Sequence, residues 1–442
     1  MNNKHLMTTK IAKRLNLILF ISYLFLNLMV RFNPPVWVGF GDPYDYLHQS
    51  NASLLSKDLY CPEKSTHFYP RPFTVPLFYK IASSEPDNII QLQKIVHSIS
   101  SFFICYVFLF YFKKPSTKII FTIFWYLLMS WWNIFGWTQT LLSESLSTSL
   151  LFCWLASFIL FYQKKNKSTF ILHCILTILF SFTRDSWPYV LIAFYAMVAL
   201  YVFIWDTTIR KEIISLIILS LCIFIIQQKS AEIGQRYRLP ILNNIVFRIL
   251  PNKDYYNWYI NKVMPCSKEL KHQYSNLSNW QMIYPLYEDT NYKKLSDWAI
   301  KEGKSTYTKF LITHPSYVFL QNEKKEDLNR IFAYNIGYIG NVCGSSYLSE
   351  YMFPLFNTIS ILLLDAIVVF FFIRRRSFEL LLPSILILLF ALNAYLLYIA
   401  DSLEVERHLF ITNIMIQFIG IYLFSLVVDM IDFKTIKGKF KK

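Results

Sequence analysis

The chain has 442 residues and a formal net charge of +16, yet only 16% of its residues are charged, while 55% are hydrophobic and 18% aromatic. A soluble domain carries about a quarter charged residues, so this balance excludes an ordinary soluble enzyme and points to a surface that meets lipid. The surplus of Lys and Arg sits in short clusters beside apolar runs, which is the arrangement of topology signals rather than of a nucleic-acid surface, and no nucleic acid is expected as a partner.

From the N-terminus, Lys10, Lys13 and Arg14 precede an apolar run over 15–30. No small-residue cleavage site follows, and the run reads as a retained first span rather than a removed signal. A helix needs about 20 mostly apolar residues to cross the hydrocarbon core. Ten segments approach that length: 15–32, 95–112, 119–135, 140–162, 170–182, 188–205, 213–226, 354–373, 380–399 and 409–428. The fifth and seventh are short, and cross only if their flanks supply another turn.

Short cytoplasmic loops collect Lys and Arg, which gives an independent check. With the N-terminus inside, the inside connections carry Lys113, Lys114 and Lys118, then Lys164, Lys165 and Lys167, then Arg210 and Lys211, then Arg374, Arg375 and Arg376. Every such loop is basic, and the tail adds Lys434, Lys437, Lys439, Lys441 and Lys442. Ten spans with both termini cytoplasmic is the count this pattern favours.

Two outside connections are long. In 33–94, Tyr44, Leu47, Leu54 and Leu55 recur at partly helical spacing, which predicts a helix lying in the membrane interface over 44–59. The 227–352 segment is long enough for a small domain. Its Tyr and Trp content, interrupted by Pro240, Pro251, Pro265, Pro285 and Pro315, predicts short helices and loops. The fold class is thus an all-α polytopic membrane protein, with a seven-span module over 1–226, an extracytoplasmic, mainly helical domain over 227–352 and a three-span module over 353–442. Cys105, Cys153, Cys174 and Cys222 lie in apolar runs and read as buried small hydrophobes. Cys61, Cys266 and Cys343 fall outside, where one disulfide among them is open and its pairing unreadable.

Threaded this way, Gly41-Asp42-Pro43-Tyr44-Asp45-Tyr46, Arg71-Pro72, Ser143-Glu144, Arg184-Asp185 and Glu406-Arg407 face one side of the membrane, which predicts a single active site built from several loops. The Asp42 carboxylate suits proton abstraction from a hydroxyl, or holding a divalent cation beside a phosphate. Gly, Asp and Pro are equally the residues of a plain turn, and Asp45 competes for the same role. Glu144 opens the fourth span, where an acid is a functional candidate or a compensation of the helix dipole. Arg184 suits bidentate phosphate binding; pairing with Asp185 or snorkelling to headgroups is the alternative. Arg407 is favoured for phosphate, because an external arginine at the boundary opposes the positive-inside trend. Arg71 is held between Pro70 and Pro72, either for an anion or as a surface charge. His48, His67, His97, His272 and His314 show no metal-ligand spacing, and Trp131, Trp132 and Trp137 read as interfacial anchors.

Gly41-Asp42 with Tyr46-Leu47, Arg71-Pro72 with Pro76-Leu77, Leu141-Leu142-Ser143-Glu144-Ser145, Thr183-Arg184 and Glu406-Arg407 together resemble the GT-C superfamily of polytopic glycosyltransferases. The nearest likeness is to its bacterial family 39-like branch, which includes protein mannosyltransferases and lipid A aminoarabinose transferases. The resemblance implies a bacterial plasma-membrane enzyme that moves a sugar from a polyprenyl-phosphate donor to an extracytoplasmic glycan, lipid or protein acceptor. By motif match Asp42 would be the first-loop acid, acting as base or organising metal and acceptor. Glu144 would be the acid of the second external loop, and Arg407 the late arginine that meets the carrier phosphate. Arg184 and Arg71 would assist on the phosphate and Asp45 beside Asp42. His408 stands where the family often has Tyr, and Asp42 lacks the adjacent second acid of protein mannosyltransferases, which weakens the case for a protein acceptor.

Two rivals remain at this stage. A polysaccharide polymerase or O-antigen ligase would use a pyrophosphate-linked glycan. A transporter or flippase would want charged, broken segments at mid-membrane in paired repeats, whereas most spans here are uninterrupted.

Overall fold

The computed structural model describes residues 3–29, 42–63, 69–262, 264–274, 293–319, 356–402 and 405–430, and among these every regular element is helical. Lipid offers no water to satisfy backbone polar groups, so an apolar segment within it must close its own hydrogen bonds as a helix. The chain opens with α1 (Asn3–Met29), followed by α2 (Asp42–Ser50), α3 (Lys57–Tyr60) and α4 (Thr74–Ile81). Then come α5 (Pro86–Phe108), α6 (Pro115–Met129), α7 (Trp132–Phe135), α8 (Ser143–Lys164), α9 (Lys167–Ser181), α10 (Trp187–Ile204) and α11 (Arg210–Ile233). Pro86 and Pro115 open their helices, where a missing N–H costs nothing. Asn166 caps α9 by accepting from the Thr169 amide at 2.9 Å.

Among the described residues, five helical stretches are long and apolar enough to cross a membrane: Lys10–Met29, Ser143–Lys164, Trp187–Ile204, Phe378–Ala400 and Arg407–Met430. The seventh sequence-predicted segment lengthens to 24 residues as α11, and the fifth, α9, reaches 15. Leu17, Ile18, Ile21 and Phe25 on α1, and Ile214, Ile218, Leu221 and Ile225 on α11, stand exposed. Water would penalise such faces by about 25 cal/mol per Å² of apolar area; lipid would not. Cys222 is exposed on this same outer part of α11 instead of buried as expected.

The helix expected over 44–59 breaks into α2 and α3. Ser56 caps α3 by accepting from the Asp58 amide at 3.1 Å, and Gln49 Nε2 donates across the break to the Leu59 carbonyl at 2.8 Å. The apolar positions do not share one face, since Leu55 is 96% exposed.

At the centre lies α8, packed on α5, α9 and α20 (Val405–Met430), the last of the described helices. Its small residues Ser145, Ser147, Ser149 and Ala156 are buried and allow neighbouring backbones to approach closely. His173 ties three helices together, with Nδ1 2.9 Å from Ser157 Oγ of α8 and Nε2 2.7 Å from Tyr195 OH of α10. Trp137, expected at the interface, is instead buried with its ring 4.9 Å from that of Phe410; Trp131 is buried too.

The basic connections gather at the other end of the bundle from the start of α8. The Lys114 amide donates to Asp429, near the end of α20, at 2.7 Å, and Lys165 pairs with Asp206 at 3.0 Å. Tyr201 OH donates to the carbonyl of Arg376, which follows α18 (Thr358–Arg375), at 3.0 Å. The remaining long helix is α19 (Phe378–Ala400).

A second, separate core forms within 238–319. It comprises α12 (Arg238–Asn244), a π-helical turn at Ile245–Ile249, α13 (Lys253–Ile260), α14 (Lys268–Tyr274), α15 (Lys293–Trp298), a π-helical turn at Ala299–Gly303, α16 (Lys304–Thr313) and α17 (Pro315–Phe319). Tyr259, Trp298, Phe310 and Tyr317 fill it. Arg248 donates to the Tyr398 carbonyl at 2.6 Å and Asn244 to the Ala400 carbonyl at 2.8 Å, which fastens this unit to the end of α19. Cys61 and Cys266 are free thiols. Gly41, His67, Pro285 and Cys343 lie outside the described residues, as do the side chains of Trp132 and Glu406.

Gly420 of α20 faces the ring of Phe356, and a Cβ there would come within 2.6 Å of it. Phe356 has little room to retreat, because Gln417 accepts from its N–H at 3.0 Å and donates to its carbonyl at 2.8 Å. Gly420→Ala should therefore destabilise by about 1–3 kcal/mol despite Ala's better helix propensity, read as a lowered melting temperature of the detergent-solubilised protein.

Candidate functional site

The site begins where α2 begins. Asp42 and Asp45 both occupy its first turn, where the helix dipole favours acids, and three residues of spacing sets them on one face. Both meet Arg71. Its Nη2 donates to Asp42 Oδ1 and, at 2.7 Å, to Asp45 Oδ2. The Arg71 backbone is clamped by Gln49, whose Oε1 accepts its N–H at 2.8 Å and whose Nε2 donates to its carbonyl at 3.0 Å. Asp45 is further held by the Tyr69 amide at 3.1 Å. The Arg71 guanidinium carbon lies 5.6 Å from the centre of the Tyr46 ring, within cation–π range.

Glu144, in the first turn of α8, is completely buried. Its Oε1 accepts from Arg407 Nε at 2.7 Å and has Arg184 Nη2 at 3.6 Å. Arg407 Nη2 in turn donates to Asp42 Oδ2 at 2.7 Å. Arg407 thus joins α20 to α8 and α2. Arg184 Nη2 also donates to His408 Nδ1 at 2.9 Å. A guanidinium has no acceptor, so Nδ1 carries no proton, and the geometry assigns the neutral Nε2–H tautomer to His408.

All six candidates from the sequence, Asp42, Asp45, Glu144, Arg71, Arg184 and Arg407, therefore converge in one cluster. Three guanidinium groups face three carboxylates and their formal charges cancel. An unpaired ion in such a setting costs several kcal/mol, so the balance is what allows the group to be enclosed. Asp185, the alternative partner for Arg184, turns away and accepts from Arg236 Nε and Nη2, both at 2.9 Å, and from Gln227 Nε2 at 2.7 Å.

The two acids of α2 differ in environment. Burial disfavours the charge on Asp42, but Arg71 and Arg407 outweigh it and hold this carboxyl well below the usual range. For Asp45 burial is the larger influence, exceeding the pull of Arg71 and of the Tyr69 amide, and it raises the carboxyl.

Tyr79 and Gln49 join the site without any sequence signal of that role, and Tyr46 and His408, named only as members of their motifs, join it too. Tyr79 of α4 meets Tyr46 edge-on, with ring centres 5.9 Å apart, and stands within electrostatic reach of Glu144, Arg407 and Asp42. Tyr79 OH and Glu144 Oε2 are buried and have no hydrogen-bond partner among the described residues. The only sequence signal for Tyr79 was its place four residues after Val75, a helical spacing that reads as core.

A cation does not suit Asp42. Both its oxygens are taken by guanidinium groups, and among the described residues no group of three or more His, Cys, Asp or Glu side chains is arranged to hold a metal. No protein-family model and no curated protein matches this chain.

Glu144→Gln leaves Arg407 and Arg184 without their shared counter-charge, and breaking a buried pair from one side costs about 3–5 kcal/mol; a clear fall in melting temperature is expected. The stability that Asp42 contributes is complete above about pH 4, the unfolded carboxylate range, and is lost as pH falls toward its depressed folded value. Asp45, raised in the folded state, acts in the opposite sense. Asp42→Asn should accordingly flatten the acid limb of a melting-temperature profile taken from pH 7 to pH 3.

Proposed function

We propose that the chain is an integral membrane glycosyltransferase that moves a sugar from a polyprenyl-phosphate donor to an acceptor hydroxyl, with ten spans, cytoplasmic termini and an extracytoplasmic site. One observation carries this reading: Arg71 and Arg407, from separate segments, converge on the partly exposed carboxylate of Asp42, which is held in its ionised form, and Arg184 joins Arg407 at the buried Glu144 beside it. Guanidinium groups at such a boundary suit a lipid-borne phosphate, and an apolar bundle suits its isoprenoid tail. A nucleotide sugar made in the cytosol does not reach that side.

In the transfer, the acceptor oxygen attacks the anomeric carbon from the face opposite the phosphate. A new carbon–oxygen bond forms, the bond to phosphate breaks with its electron pair passing to the phosphate oxygen, and the acceptor proton passes to Asp42. The phosphodiester donor carries one negative charge and the departing monoester about two at neutral pH. Asp42 loses its charge as the phosphate gains one, so the buried site keeps the same total. Arg407, with Arg184 and Arg71, stabilises the charge that develops on the leaving group, and Glu144 orients Arg407 and Arg184.

Purified protein incubated with a panel of polyprenyl-phosphate sugars should transfer or hydrolyse one of them with inversion at the anomeric carbon. Asp42→Asn should lower that rate about 10²–10⁴-fold without loss of the fold or of carrier binding, and an active Asp42→Asn enzyme removes Asp42 from the reaction. Activity confined to pyrophosphate-linked glycans would favour a polymerase or ligase instead.

A further inference from the structure

We infer that Asp42 is the resident anion of an exchangeable anion site: its carboxylate spans Arg71 and Arg407 where a ligand's phosphate is received, and the phosphate displaces it. The inference rests on the donor-phosphate reading above and adds a rule of operation, namely that carboxylate and phosphate compete for the same two arginines.

Three features of the cluster support the exchange. First, each oxygen of Asp42 is committed to a different arginine, Oδ1 to Arg71 and Oδ2 to Arg407. A carboxylate bound in two charge-assisted hydrogen bonds is a poor base, so Asp42 must be released from at least one before it can take an acceptor proton. Second, the three acids are not equally held. The Asp42 side chain is 28% exposed, against 6% for Asp45 and 0% for Glu144. Asp45 also keeps the Tyr69 amide, whereas Asp42 is the acid at the outer edge of the cluster.

Third, neither arginine is set adrift when Asp42 leaves. Arg71 retains Asp45 through Nη2 at 2.7 Å and Nε at 3.3 Å, and its backbone stays clamped by Gln49. Arg407 retains Glu144 through Nε at 2.7 Å. The two inner acids hold the guanidinium groups in position while the outer acid is free to exchange. A phosphodiester brings one negative charge to the place from which one carboxylate moves, so the arginines are satisfied before and after. Phosphate binding is then the event that frees Asp42, and donor binding precedes acceptor activation.

Farnesyl phosphate, with farnesol as the uncharged control, tests this by calorimetric binding to the full-length protein in detergent. Wild type should prefer farnesyl phosphate over farnesol. Asp42→Asn should bind the phosphate about tenfold more tightly, the weight of one charge-assisted hydrogen bond no longer to be broken. Asp42→Glu, which keeps the competing charge, should not tighten binding, and Arg407→Gln should weaken it. Unchanged or weaker binding in Asp42→Asn makes Asp42 a fixed strut and overturns the exchange alone. No preference for the phosphate in wild type overturns the anion site, and the donor-phosphate reading with it. Should Asp42→Asn not fold, wild type gives an independent answer: labelling of Asp42 by a water-soluble carbodiimide, mapped by mass spectrometry, should rise several-fold when farnesyl phosphate is added. A fall or no change overturns the exchange.

Discussion

Arg407 is the residue on which the arrangement depends. It projects from the start of α20 and binds the completely buried Glu144 of α8 on one side and Asp42 of α2 on the other. A buried guanidinium with one partner removed is strongly unfavourable, so the ends of three helices are obliged to meet there. The position of α2 follows, since that short helix is held to the bundle partly through its own first-turn acids. So does the placement of Arg184, which shares the Glu144 oxygen with Arg407. A hydrophobic bundle alone would not specify this meeting, because apolar helices slide against one another at little cost in lipid.

What the sequence made legible is what depends on local pattern. Apolar length placed the helices, and the alternation of basic loops with polar motifs sorted the chain into two ends without reference to any residue's role. The cluster residues were all nameable, because a charge at a membrane boundary is costly enough to stand out. Their pairing was not. Arg184 and Asp185 are neighbours in sequence but serve different partners, and no local rule decides between pairing with a neighbour and reaching across the bundle. Tyr79 and Trp137 escaped for a different reason. Tyr79 read as an ordinary core position and Trp137 as an interfacial anchor, and only tertiary packing shows one beside the charges and the other inside the core.

The break in the helix expected over 44–59 shows how polar chemistry overrides a weak apolar pattern. Gln49 spends its amide on the backbones of Leu59 and Arg71, which brings the chain after α2 back across it. A continuous interfacial helix would carry those carbonyls away from Gln49. The fold gives up a few exposed leucine contacts with the interface and gains a rigid mount for Arg71.

The turn after α9 carries Arg184 inward to Glu144 and His408 and Asp185 outward to Arg236, two residues before α12. Two adjacent side chains therefore act as the arms of a yoke, with one arm in the charge cluster and the other at the root of the second core. Any tilt of that root is carried through a single peptide unit to a guanidinium of the site. Such a short connection leaves little slack, so the packing at the start of the 238–319 unit bears on where Arg184 sits beside Glu144.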